Sequence, residues 1–140
     1  MNNIKIHHLG YLVKNILKAK NVFIDMGFQL KKNIILDDVR NAYICFLDGN
    51  GTLIELIQPT IESPIYALLK KYQNTPYHIC YEVEDIFKEI QNLEKKGFFL
   101  FRETEIAPAI SSNAKVAFLI HRDVGMIELL QDNSLQAVEL

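Results

Sequence analysis

The chain repeats itself at an offset of 70 residues. His8, Val13, Asn15, Ile16, Gly27 and Phe28 recur as His78, Val83, Asp85, Ile86, Gly97 and Phe98. One shared offset over these landmarks restricts the fold to two copies of one unit. Each landmark also has a local physical role. Ile4 to Val13 and Tyr77 to Val83 are rich in β-branched and aromatic residues and read as strands. Asn15 and Asp85 are suited to cap helices, because a short side-chain oxygen accepts from an orphan amide of the first turn. Ile16, Ala19, Phe23 and Met26 then recur at helical spacing, as do Ile86, Ile90 and Leu93. Gly27 and Gly97 stop the helices, where a left-handed residue needs no Cβ.

The remainder of each copy is β-like. Asn41 to Leu47 and Thr52 to Gln58 read as strands around Asp48-Gly49-Asn50-Gly51, a hairpin signal. Lys115 to Ile120 and Met126 to Gln131 do the same around His121-Arg122-Asp123-Val124-Gly125. A weaker strand follows each glycine, over Phe28 to Leu36 and Phe98 to Arg102. Each copy is therefore βαβββ. The reading is a single α+β domain over 1–140, built of modules 4–60 and 76–131. A helix over 63–73 joins them, with Ser63 as its cap, Pro64 at its first turn and Ile65, Leu68, Leu69 and Tyr72 as its apolar stripe. The tail after Gln131 is weakly patterned and is expected to fray.

Composition narrows the class. A hydrophobic fraction of 49% over 140 residues is ample for a core and excludes intrinsic disorder. A formal net charge of −2 argues against an electrostatically driven nucleic-acid binder. No apolar run approaches the roughly 18 residues of a membrane span. The stretch MNNIKIHHLG has no apolar signal core, so a cytoplasmic protein is expected. Cys45 and Cys80 sit in apolar strand-like runs and read as buried thiols in a reducing compartment.

The chemistry concentrates in four residues. Glu55 and Glu128 occupy matching last-strand positions, 73 apart. Each is flanked by apolar residues on both sides, in Leu-Ile-Glu-Leu-Ile and Met-Ile-Glu-Leu-Leu, so neither strand face looks wet. A single such glutamate reads equally well as exposed or functional. Two at matching positions favour function, because a buried unpaired carboxylate costs several kcal/mol or shifts its pKa. His8 and His78 follow the same logic on the first strands. Two imidazoles and two carboxylates suit a divalent ion such as Co, Ni, Zn, Mn or Fe(II), whose charge the carboxylates cancel.

These stretches resemble the vicinal oxygen chelate superfamily, also called the glyoxalase/bleomycin-resistance fold, over residues 4 to 131. The resemblance rests on His8-Leu9-Gly10-Tyr11-Leu12-Val13, Ile54-Glu55-Leu56-Ile57-Gln58-Pro59, Ser63-Pro64-Ile65, His78 to Ile86, Lys115 to Leu119 and Ile127-Glu128-Leu129. Within the superfamily the chain looks most like the methylmalonyl-CoA epimerases. The resemblance implies two modules pairing into a curved mixed sheet around a metal cup. It implies His8, Glu55, His78 and Glu128 as ligands of one divalent ion (Co, Ni, Zn or Mn), with Glu128 and Glu55 as the catalytic carboxylates. It implies a small-molecule substrate, an acyl-CoA or thiol adduct, and a homodimer. The expected reaction moves a proton next to the carbonyl of an acyl thioester. Glyoxalase I-type lactoylglutathione lyase activity and non-catalytic binding of a small molecule are the alternatives. A ring-cleaving Fe(II) dioxygenase fits less well, because such enzymes use two His and one carboxylate.

The sequence also departs from the epimerase pattern. Ile44 stands where some epimerases carry a further glutamate, so a second base would have to be Glu55 or a water. Tyr77 replaces a common His, and His121-Arg122 replaces a familiar His-Pro. Residues 106–113 replace a glycine-rich loop. These changes cluster where substrate would be read. His7 alternates to the face opposite His8 and is expected at the surface or in packing, and His121 is expected to be exposed in its turn. The pairs Lys31-Lys32, Lys70-Lys71 and Lys95-Lys96 read as solvated charge, and Asp48 to Gly51 as a hairpin rather than a calcium loop. Tyr11, Tyr43 and Tyr81 fit either a cup lining or the core.

Overall fold

A computed structural model describes residues 4–132. The tail after that point, expected to fray, lies outside the described residues. The chain divides into two compact units, His8–Tyr77 and the segment from His78 onward with the residues up to His7.

The first unit holds β1 (Lys5–Leu12, from His8 on), α1 (Ile16–Asp25), β2 (Gln29–Asp37), β3 (Ala42–Gly49), β4 (Thr52–Pro59) and α2 (Tyr66–Tyr72). β2 pairs with β3 and β3 with β4, both antiparallel. β4 runs parallel to β1, with Gly10 opposite Glu55. The second unit repeats this with β5 (Thr75–Glu82, from His78 on), α3 (Ile86–Glu94), β6 (Phe99–Ile106), β7 (Ala114–His121) and β8 (Gly125–Asp132). β6 pairs with β7 and β7 with β8, both antiparallel, and β8 runs parallel to β5 with Cys80 opposite Glu128. Both copies are βαβββ.

The repeat extends to the atoms that start and stop the helices. Asn15 Oδ1 accepts from Lys18 N at 3.1 Å, and Asp85 Oδ1 from Lys88 N at 3.2 Å. A glutamine from the last strand caps the first amide of each helix: Gln58 Oε1 takes Ile16 N and Gln131 Oε1 takes Ile86 N, both at 2.9 Å. At the other end Phe28 N donates to Phe23 O, and Phe98 N to Leu93 O. These bonds, with Gly27 at φ 112° and Gly97 at φ 95°, close both helices by the same six-to-one turn.

The β3–β4 hairpin turns through Asn50 (φ 53°) and Gly51 (φ 98°), with Gly49 paired to Thr52. Two central residues at positive φ make the turn whose twist suits a two-residue hairpin. The expected helix over 63–73 begins later than Pro64. Ser63 Oγ accepts from Ile65 N, and this local turn delays the helix to Tyr66. β6 runs to Ile106, past the expected Arg102, with register shifts against β7 that absorb the irregular stretch.

Each unit packs its helix on one face of its strands. Val13, Ile16, Cys45, Leu47, Ile54 and Leu56 form the first core, joined by Tyr11, Phe23 and Phe28. Ile86, Ile90, Ala117, Leu119 and Leu129 form the second, joined by Tyr81, Leu93 and Phe98. Tyr11 and Tyr81 are thus core residues, while Tyr43 is exposed. No helix among the described residues is long and apolar enough to cross a membrane.

Candidate metal centre

Strand alternation leaves a second face on each sheet, opposite the helix. His8, Gly10, Phe46 and Glu55 share that face in the first unit, because β1 and β4 place Gly10 against Glu55 and β3 places Phe46 against it. His78, Cys80, Phe118 and Glu128 share it in the second. Side chains at successive positions point to opposite faces, so Leu56 and Leu129 enter the cores while the glutamates point away from them.

In the first unit His8 Nε2 lies 3.3 Å from Glu55 Oε1. In the second His78 Nε2 lies 3.0 Å from Glu128 Oε1. All four side chains are buried, the glutamates completely. Both glutamates are thus buried rather than exposed. A phenylalanine edge flanks each imidazole, Phe46 at 5.5 Å from His8 and Phe118 at 5.2 Å from His78, centroid to centroid and nearly perpendicular. These phenylalanines fix the ring planes so that Nε2 meets the carboxylate.

The first unit adds a cation that sequence patterning does not reveal. Asp37, fully buried at the end of β2, accepts from Val39 N and Arg40 N through Oδ1 at 3.0 and 3.1 Å. Its Oδ2 takes Arg40 Nε at 2.9 Å. The arginine so held, itself buried, places Nη2 3.4 Å from Glu55 Oε2. Glu55 therefore meets Arg40 through Oε2, while its Oε1 faces His8 Nε2. The matching turn of the second unit, residues 109–113, contains no Lys or Arg. There Ser111 Oγ instead meets Asp132 Oδ1 at 3.0 Å.

The donor set fits a divalent ion. Each pair supplies one imidazole Nε2 and one carboxylate oxygen, the ligand types that first-row divalent ions share. A carboxylate this deeply buried needs a cationic partner. Cys45 does not join this donor set. Burial pushes the Cys45 thiol up to about 12, with Lys20 pulling it down and Glu55 adding to the rise. Cys45 lies on the helix side, in the first core.

Several expectations change. His121 is half-buried rather than exposed, because its ring packs at a tilt against Phe98 at 4.8 Å and its Nδ1 accepts from Asp123 N at 3.0 Å. Residues 107–113, which stand in place of a glycine-rich loop, form a tight turn with Ala107 and Ala109 buried. Ile44 is buried and carries no acid or base. Sequence reasoning misses Phe46, Phe118, Gln58, Gln131, Asp37 and Arg40. The first four had a signal: Gln58 and Gln131 each stand three residues past a glutamate, and Phe46 and Phe118 are 72 apart. Asp37 and Arg40 have no counterpart in the repeat and left none.

Known proteins carry the same arrangement of elements. The profile of the Glyoxalase/Bleomycin resistance protein/Dioxygenase superfamily matches residues 7–118. The chain is 26% identical over 133 residues to the mitochondrial methylmalonyl-CoA epimerase of Mus musculus, covering 91% of this chain and 72% of that protein. It is 27% identical over 136 residues to the Homo sapiens protein of the same name, covering 91% and 73%. Methylmalonyl-CoA epimerase from Mycobacterium tuberculosis superposes with a TM-score of 0.79 at 22% identity, over 95% of this chain and 91% of that one. A hypothetical protein from Bacillus halodurans superposes with a TM-score of 0.80 at 24% identity, over 93% and 95%. The chain has the glyoxalase-like fold of two βαβββ modules, and it belongs to the Glyoxalase/Bleomycin resistance protein/Dioxygenase superfamily.

Proposed function

We propose that this protein is a divalent-metal-dependent enzyme that moves a proton at the carbon next to the carbonyl of an acyl thioester, as a methylmalonyl-CoA epimerase does. The observation that carries the reading is the pair of matched, fully buried His–Glu couples, His8 with Glu55 and His78 with Glu128. We assign both couples to one ion, Co, Ni, Zn or Mn, within one domain spanning both modules. His8, Glu55, His78 and Glu128 would hold the ion, and the two carboxylates would balance its charge. When bound, the ion supplies Lewis acidity to the carbonyl oxygen and so acidifies the neighbouring C–H.

The protein's own groups do the rest. His8 and His78 hold the centre, their rings fixed by Phe46 and Phe118. Glu128 takes the proton from one face of the carbon, and Glu55, as the second carboxylate, supplies a proton to the other. Ile44, buried, leaves no acid or base on the side where a further base would stand. Solved epimerases have been crystallised with methylmalonyl-CoA and with 2-nitronate-propionyl-CoA, which supports a CoA thioester as the substrate class. We further propose a homodimer acting in the cytoplasm, where buried thiols such as Cys45 stay reduced.

The test is exchange of the α-hydrogen of methylmalonyl-CoA in deuterium oxide by metal-reconstituted protein. Deuterium entering that carbon, lost on chelation and restored by a divalent ion, is the expected result. Turnover of methylglyoxal only with a thiol present would move the assignment to the lactoylglutathione lyase reaction. Retention of no metal under any condition would leave small-molecule binding without catalysis.

A further inference from the structure

We infer that Arg102 and Glu105 form a substrate-reading pair whose ligand is a secondary amide. The Arg102 guanidinium donates to the amide carbonyl, and Glu105 Oε2 accepts from the amide N–H. In an acyl-CoA this group is the pantetheine amide that follows the thioester sulfur. The inference rests on the acyl-thioester reading and names what selects the thiol part of that substrate.

All the parts lie within the second unit. β6 sets Arg102 against Phe118, β7 sets Phe118 against Glu128, and β8 sets Glu128 against Cys80. Residues directly opposed across strands share a face. Arg102 therefore stands on the face of His78 and Glu128, beside the phenylalanine whose ring packs on His78. Glu105 is opposed by Val116, which packs with Cys80 and Leu130 on the same face. In an unbroken strand, residues three apart point to opposite faces. A register shift between Arg102 and Glu105 brings both to one face, where Arg102 Nη2 lies 2.6 Å from Glu105 Oε1. The other carboxylate oxygen, Glu105 Oε2, is buried and has no hydrogen-bond partner among the described residues. A buried acceptor without a donor is costly, so this position calls for an N–H or O–H. The guanidinium carries more donors than one carboxylate oxygen can use. The ion pair has no net charge, so it suits a neutral group that offers an acceptor and a donor side by side, and a secondary amide does so. An anion would meet the bare Oε2, and an ammonium would meet the guanidinium. Two strand spacings, roughly 10 Å, separate Arg102 from Glu128. The arginine side chain covers part of that gap, and the sulfur and ethylene unit between a thioester carbonyl and its first amide cover the rest. The first unit has Lys32 and Ile35 at the equivalent register positions, opposite Phe46 and Ile44. Ile35 offers no acceptor, so the pair occurs in one module only.

The test compares two methylmalonyl thioesters of matched length on the full-length, metal-reconstituted protein. The N-acetylcysteamine ester carries the amide and the pentanethiol ester does not. Exchange of the α-hydrogen in deuterium oxide gives kcat and KM for each. The wild type should prefer the amide ester about 10- to 100-fold in kcat/KM, the worth of a hydrogen bond to a charged group. The preference should lie in KM, because the amide is remote from the reacting carbon. Glu105→Gln puts a donor in place of Oε2 and should bring the two esters to within a few-fold of each other. The double variant Arg102→Leu with Glu105→Leu removes both partners without orphaning either, and should abolish the preference. The pentanethiol ester controls for folding, since a general loss of structure slows both esters alike. Calorimetric titration with pantetheine reads the same contact without turnover, and the double variant should bind it several-fold more weakly. A wild type that exchanges both esters equally, or variants that keep the full preference, would overturn the pair and leave the acyl-thioester reading standing. Exchange on neither ester, with pantetheine binding weakened in the double variant, would overturn that reading and keep the pair. Exchange on neither ester with unchanged pantetheine binding would overturn both.

Discussion

The two units are built from one pattern, yet they present their glutamates differently. Their helices start on the same kind of cap, take the same glutamine on the first amide and end on the same glycine turn. Their cores are matched, Leu56 with Leu129 and Leu47 with Leu119. The histidines meet the glutamates through the same nitrogen in both. The difference lies in the turn that precedes the third strand. In the first unit it delivers Arg40 to Glu55, and in the second it joins Ser111 to Asp132. Duplication thus provides two equal His–Glu pairs, and a single turn makes them unequal. Electrostatics explains why this suffices: inside a protein a charge 3.4 Å away acts through a low effective dielectric, so one guanidinium outweighs many surface charges.

The largest effect expected from breaking this comparison is catalytic. Glu128→Gln keeps an oxygen donor but removes the exchangeable charge. It should cost roughly 10²- to 10⁴-fold in α-proton exchange while metal is retained. Glu55→Gln should instead fail first in metal content, measured by elemental mass spectrometry, because its amide nitrogen would face the Arg40 donors. Equal metal loss in both variants would mean that the two glutamates are interchangeable and that the asymmetry has no consequence.

The matched cores give the next effect. Leu56 and Leu129 are both fully buried, at equivalent strand positions. Leu56→Ala and Leu129→Ala should each cost about 2–5 kcal/mol in denaturant unfolding. If the two units unfold cooperatively, both variants shift a single transition. Two separated transitions, each sensitive to one substitution, would show that the units melt independently.

The smallest effect sits at the helix caps. Asn15→Ala and Asp85→Ala each remove one side-chain bond to a third-residue amide, worth about 1 kcal/mol. The glutamine caps from the last strands remain, so neither helix should be lost. A loss well beyond that in either variant, read by thermal unfolding, would show that the aspartate or asparagine supports more than its own helix.

Much of the fold is legible in the order of residues. Asn15 and Asp85 cap, Gly27 and Gly97 stop, and Asn50-Gly51 turns, because each acts on amides within a few residues of itself. Strand alternation places Glu55 and Glu128 on one face and Leu56 and Leu129 on the other, and that too is local. The quartet of His8, Glu55, His78 and Glu128 is legible because the repeat doubles a weak signal. The capping role of Gln58 and Gln131 is harder to read, since their bonds reach 42 and 45 residues back along the chain. Helix starts and strand ends shift where a side chain competes locally, as Ser63 does before Tyr66.

What the sequence determined by itself is the duplicated βαβββ plan, its punctuation and the matched positions of two histidines and two glutamates. Periodicity and capping are short-range properties, and a repeat exposes them twice. What only the tertiary structure decided is how those residues are held. His8 and His78 meet carboxylates 47 and 50 residues away because parallel pairing sets one register between first and last strands. Arg40 reaches Glu55 because Asp37 fixes a turn at positive φ, at Asn41, that aims the guanidinium inward. Neither register nor aim follows from local propensity, since both are selected only when distant strands pack and a buried charge must find its partner.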